Sequence, residues 1–264
     1  MSMRLVILAV IVSATVAPFA LAESSDCTAP ALIVSDGRGT QSTFPQNTTY
    51  WYGIYGQAGH SYSVEFVPQA DNYFNGTHVQ FGPIAVFGPN DYMQGCRGNS
   101  SVTVTQNSGY APVILKNGNG AGRRVSFTAQ SAGLHLIAVS NAAGTGSYTF
   151  RAAETTLFNL RWSTWNGYNV QWGFMNLSDM PITGTFTVYD SNNRAIVAVQ
   201  FSIPTGGRAF RSSYASDLNL ARNTSGYTVF SHNGPVGAVI ADFCTINPTG
   251  IIETYAKFDT TEGH

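Results

Sequence analysis

The chain predicts an all-β protein built as two tandem β-sandwich domains, and three observations carry that expectation. Apolar residues alternate with period two along most of the 264-residue sequence. Turn-forming Gly, Asn and Pro interrupt the alternation every roughly 8 to 15 residues. No stretch sustains the 3.6-residue period of a helix. Many short strands joined by tight turns argue for sandwiches with Greek-key connections.

The elements follow in order. In the first half the alternation marks strands at TYWYGIY (49–55), SYSVEFV (61–67), PIAVF (83–87), SVTVT (101–105), APVIL (111–115), RRVSFTA (123–129), LHLIAVS (134–140) and SYTFRAA (147–153). In the second half it marks LFNLRWS (157–163), YNVQWGF (168–174), GTFTVYD (184–190), AIVAVQFSI (195–203), GYTVFSH (226–232), VGAVIADF (236–243) and IIETYAKF (251–258). SDLNLAR (216–222) is the helical candidate, with Ser216 placed to cap a turn or two. The break between halves falls at Ala153-Glu154-Thr155-Thr156, which is short and has no Gly/Ser run. Domains are therefore expected at 23–153 and 154–264, close together and restricted in angle.

Residues 1–22 read as a secretory signal peptide. Arg4 gives the positive start, LVILAVIVSATVA the apolar stretch, and Ala20-Leu21-Ala22 a small-x-small cleavage site before Glu23. That apolar run is too short to span a bilayer, and no later window approaches twenty apolar residues. The SSD before Cys27 argues against a lipid anchor there. The expected location is extracellular or periplasmic, with no membrane insertion.

Charged residues make up 10% of the chain, against roughly 25% in ordinary globular proteins. The net charge is −1, and Lys116 and Lys257 are the only lysines. Such a surface offers no electrostatic footprint for nucleic acid. Three cysteines in an exported chain leave one over. Cys27 and Cys96 share the first half and are the expected disulfide. Cys244, inside an apolar strand with no neighbouring cation to lower its pKa, reads as a buried free thiol. Asn-x-Ser/Thr sequons occur at Asn47, Asn75, Asn99, Asn176 and Asn223, a yield that composition alone explains.

Four stretches carry two family resemblances. WYGIYGQAGHSYSVEFV, with the later RRVSFTAQSAGLHLIAVSNAAGTGSYTFRA, resembles the opening and closing strands of the bacterial pre-peptidase C-terminal type of β-sandwich. The family's acidic residue before the first aromatic pair is here replaced by Tyr50. GFMNLSDMPITGTFTVYDSNNRAIVAVQFSIPTGG and TSGYTVFSHNGPVGAVIADFCTINPTG resemble an immunoglobulin-like sandwich of secreted and surface bacterial proteins. Both resemblances imply accessory modules without chemistry of their own, and fold analogy alone does not establish function.

LFNLRWSTWNGYNVQWGFMN (157–176) holds three of the four tryptophans. A two-residue turn at Asn166-Gly167 would put polar residues on the aromatic face. A three-residue loop, Trp165-Asn166-Gly167 with Gly167 left-handed, instead sets Trp162 opposite Val170, Leu160 opposite Trp172 and Phe158 opposite Phe174. Trp162 and Trp172 are then core residues. Trp165, at the loop's start, has no strand face to bury against. It either stacks on a sugar ring or packs against the neighbouring domain.

Catalytic constellations are not legible. GHSYS (59–63) lacks the strand-to-helix turn of a nucleophile elbow, and GNGAG (118–122) joins two strands, leaving no helix end for phosphate. Ser61, His60 and Glu65 sit on one hairpin without converging. QADNYFNG (69–76) and GPNDYMQG (88–95) crowd oxygens into turns, so Asp71, Asn72, Asn75, Asn90 and Asp91 are calcium candidates, although Asn and Asp are equally ordinary turn formers. No other cofactor is expected. The sequence therefore points to a secreted, non-catalytic binding, adhesion or structural module at the bacterial surface, whose partner is an extracellular protein or polysaccharide. Its rivals are a carbohydrate-binding protein using Trp165 and an extracellular hydrolase, or an accessory part of one.

Overall fold

A computed structural model describes residues 23–68, 79–89, 113–117 and 120–260. Over these residues the chain is an all-β protein without α-helix. The segment 1–22, the strand expected at 101–105 and Cys96 lie outside the described residues. No helix among the described residues is long and apolar enough to cross a membrane.

Among the described residues nine strands form the first sandwich: β1 (Ala31–Leu32), β2 (Asp36–Phe44), β3 (Thr49–Gly56), β4 (Ser61–Pro68), β5 (Gln80–Phe87), β6 (Val113–Asn117), β7 (Gly120–Thr128), β8 (Gly133–Ala143) and β9 (Gly146–Glu154). They make a four-stranded sheet, β1-β3-β8-β5, and a five-stranded sheet, β2-β9-β4-β7-β6. The alternation in TYWYGIY and SYSVEFV turns Tyr52, Ile54, Tyr62, Val64 and Phe66 into the space between them. Tyr52 stacks on Phe150 with centroids 4.7 Å apart, and its hydroxyl meets that of Tyr148. Trp51 lies on the other face of β3, in a small outer cluster with Leu136 and Cys27. Burying both faces of β3 explains why its apolar run is nearly continuous.

Nine more strands form the second sandwich: β10 (Leu157–Ser163), β11 (Asn169–Asn176), β12 (Ile182–Asp190), β13 (Ala195–Ile203), β14 (Arg208–Ser212), β15 (Ser225–His232), β16 (Val239–Ile246), β17 (Ile252–Lys257) and β18 (Asp259–Thr260). The sheets are β13-β12-β15-β10-β18 and β14-β11-β16-β17. A separate core lies between them, with Trp162, Trp172, Phe174, Phe186 and Phe230 essentially inaccessible. Trp162 donates its indole N–H to the carbonyls of Tyr189 and Tyr227, each at 3.2 Å.

Three expectations need correcting. β10 and β11 are not a hairpin: β10 pairs with β15 and β18, and β11 with β14 and β16. The intervening turn arches from one sheet to the other, so Trp162 and Trp172 face a common core from opposite walls. Alternation states which face is apolar, and both arrangements bury that same face. Gly167 does adopt the left-handed conformation, at φ 77°. SDLNLAR forms turns, not a helix. Asn219 takes a positive φ of 39°, and Leu218 and Leu220, two residues apart, both plug the core. Cys244 is half-buried, because Ala241 and Phe243 take the core side of β16 and Cys244 points outward. Partial burial, then the nearby Asp242, push its thiol pKa up.

The two sandwiches meet at a polar joint. Only Thr155 and Thr156 separate β9 from β10, and both are fully buried. Thr155 N–H donates to the Ser61 carbonyl at 2.8 Å, and Ser61 N–H donates to Thr156 Oγ1 at 2.8 Å. From the second sandwich, His232 N–H reaches Ser61 Oγ at 3.1 Å, and the Ser231 hydroxyl donates to the Gly59 carbonyl.

Candidate functional site

Trp165 belongs to a single 3-10 turn, Trp165–Gly167, in which Asn166 and Gly167 both have positive φ. Asn and Gly tolerate that conformation where most residues are strained. Thr164, immediately before, is buried and anchors the turn. Its Oγ1 donates to the Ala221 carbonyl at 2.8 Å and accepts Thr224 N–H at 3.1 Å. Asn166 N–H is held by Asn223 Oδ1 at 3.2 Å. The turn is thus fastened from below, while the Trp165 ring, 54% exposed, stays in solvent.

Beneath that ring lies a cleft of about 410 Å³ on the seam of the second sandwich. The seam exists because β10 and β17 each leave one edge unpaired along these stretches, their other edges being taken by β15 and β16. β18 pairs only with Leu157 and Phe158 of β10, and β17 ends its sheet. The chain crosses between sheets at Phe258, whose buried ring and N–H bond to the Ala241 carbonyl close one half of the seam. The other half stays open. Its floor is Trp162 and Phe243, its β10 wall Arg161 and Ser163, and its β17 wall Glu253 and Thr254.

Hydrogen bonds set the shape of the rim. Tyr168 donates its hydroxyl to Glu253 Oε2 at 2.6 Å, and Asn247 Nδ2 donates to Glu253 Oε1 at 2.9 Å. These two bonds hold the Glu253 carboxyl below its usual range, and the first pushes the Tyr168 hydroxyl up. Tyr214 donates to the Tyr168 carbonyl at 2.8 Å. An aromatic plate above fixed polar walls can stack a flat ring and hydrogen-bond its edges.

The remaining sequence candidates fall elsewhere. Asp71, Asn72, Asn75, Asn90 and Asp91 lie outside the described residues, as does Cys96. Among the described residues no three His, Cys, Asp or Glu side chains converge as a metal group. Ser61 Oγ is enclosed in the joint, bonded by His232 N–H and by the Thr155 hydroxyl at 3.1 Å. His60 Nδ1 instead contacts Glu154 Oε1 at 2.6 Å, and Glu65 stands in register between Arg124 and Arg151. These three residues have separate duties.

Arg161, Tyr168 and Glu253 are the site residues that sequence reading missed. Tyr168 and Glu253 are 85 positions apart and on different strands, so no local pattern joins them. The described fold is that of an all-β sandwich protein with an aromatic-rimmed cleft at a sheet seam.

No family model and no curated protein matches the chain. Among solved structures, the full extracellular region of zebrafish Gpr126/Adgrg6 aligns over 90% of this chain at 8% identity and a TM-score of 0.23. The chain spans 42% of that structure's length. So shallow a likeness says nothing of fold or function.

Proposed function

We propose that the protein is a secreted, non-catalytic binding module of the bacterial surface that holds a polysaccharide in the cleft under Trp165. The carrying observation is the exposed Trp165 ring, fixed by a buried threonine over a polar-walled cleft. The signal-like start supports export, and the two family resemblances support an accessory role. Under this reading the chain divides at 153/154 into a pre-peptidase C-terminal-like and an immunoglobulin-like domain, and the cleft belongs wholly to the second.

Titration of the purified full chain with a panel of oligosaccharides, followed by tryptophan fluorescence, tests this. Trp165→Ala is expected to weaken binding by at least about tenfold, as for an aromatic contact residue, with little change in thermal midpoint. Binding indifferent to that substitution would rule the cleft out. Turnover of any oligosaccharide by the wild-type chain would make it an enzyme instead.

The oxidised protein is further expected to carry a Cys27–Cys96 bridge, with Cys244 as a free thiol. Non-reducing peptide mapping should recover the first two in one peptide pair. A bridge involving Cys244 would contradict this.

A further inference from the structure

In the cleft, among the described residues, the Glu253 carboxylate and the Tyr168 and Ser163 hydroxyls are engaged, whereas the side chains of Arg161 and Asn166 are not. Both Glu253 oxygens already accept a hydrogen bond, from Tyr168 and Asn247. Ser163 Oγ accepts the Trp165 N–H at 3.3 Å. Across the cleft, Arg161 is exposed and its guanidinium has no hydrogen-bond or ion-pair partner among the described residues. The side-chain amide of Asn166 is likewise without a partner among them. A guanidinium presents five N–H donors in a rigid planar fork that matches a carboxylate bidentately. The ligand that completes this cleft brings acceptors on one edge and a flat face for Trp165.

We propose that the cleft selects a carboxylate-bearing sugar: a uronate residue of an acidic polysaccharide, its ring on Trp165 and its carboxylate on Arg161. This rests on the polysaccharide-binding reading above. The two walls differ in sign, so they orient the ring. The carboxylate turns to Arg161 on β10, and hydroxyl groups turn to the remaining lone pairs of Glu253 on β17. Because Tyr168 and Asn247 fix Glu253, the acceptor wall does not swing across to neutralise Arg161. An acidic peptide would find the same arginine, but its carboxylates sit on flexible side chains and not on the ring that faces the indole.

The test compares uronate oligomers of several linkages with their carboxyl-reduced counterparts, using the full chain and calorimetry. The acidic oligomers are expected to bind about tenfold to a hundredfold more tightly, the range of a charge-assisted hydrogen-bonded pair. That margin should shrink as salt rises, because the pair is exposed. Arg161→Gln should abolish the margin while leaving the carboxyl-reduced oligomers bound as before, and Arg161→Lys should restore only part of it. Equal affinity for acidic and reduced forms, with both lost in Trp165→Ala, would overturn the acid preference and leave the polysaccharide reading standing. Binding of neither form, or tighter binding of acidic peptides, would overturn both.

Discussion

Trp172→Ala is expected to destabilise the protein by about 3–5 kcal/mol, the range for large aromatics removed from cores. Trp172 is fully buried on β11, with its ring 5.3 Å from that of Phe186 across the sandwich. Alanine leaves a void that the flanking strands β14 and β16 cannot close without breaking register. Among the described residues the buried indole Nε1 finds no hydrogen-bond partner. Trp172→Phe removes that unsatisfied donor while keeping a ring, and should lose less than half as much. Trp165→Ala, by contrast, should stay within about 0.5 kcal/mol, as exposed positions do. Urea unfolding of the three variants distinguishes these outcomes. A loss at Trp165 matching that at Trp172 would mean its ring is packed, and the cleft would lose its plate.

Acid should weaken the joint through His232. Its ring is buried between the sandwiches, and burial pulls its pKa down from 6.5 to about 4, only partly offset by a bond to the Thr155 backbone. The neutral tautomer fits its surroundings, with Nδ1 accepting Gly234 N–H at 3.1 Å. Between pH 6.5 and about 4 the unfolded chain binds a proton here that the folded chain does not. Stability therefore falls as pH falls through that window, by roughly 3 kcal/mol at this site. His135, also lowered by burial, acts in the same direction, and Glu23, raised by burial, acts against it. His232→Gln should flatten the profile by the His232 share, whereas parallel urea midpoints for both proteins from pH 7 to 4 would refute the assignment.

Much of the fold was legible because one-faced burial writes a period of two into the chain. SYSVEFV places Val64 and Phe66 in the core as its alternation requires. β2 was not legible: DGRGTQSTF offers only Phe44 to the core, and its edge position with a bulge after Asp36 is set by β9. β14 was hidden for a similar reason, since RAFRS exposes its largest apolar side chain, Phe210, to solvent. Alternation also cannot say which sheet a strand joins, hence the misread pairing of β10 with β11. Within the cleft, Trp165 stood out as an aromatic with no strand face. Arg161 looked like any exposed strand residue until β17 was folded beside it.

The pairing of β10 with β18 also bears on how fast the second sandwich forms. Its first and last strands, about a hundred residues apart, meet directly in one sheet, and such non-local pairings slow folding because the loop must close before any contact rewards it. A native-like nucleus can grow from the consecutive β12–β13 ladder, but the seam stays unzipped until Phe258 docks. Until then, the strand edges that later flank the cleft are exposed along their whole length, and this is the interval in which two chains can pair edge to edge.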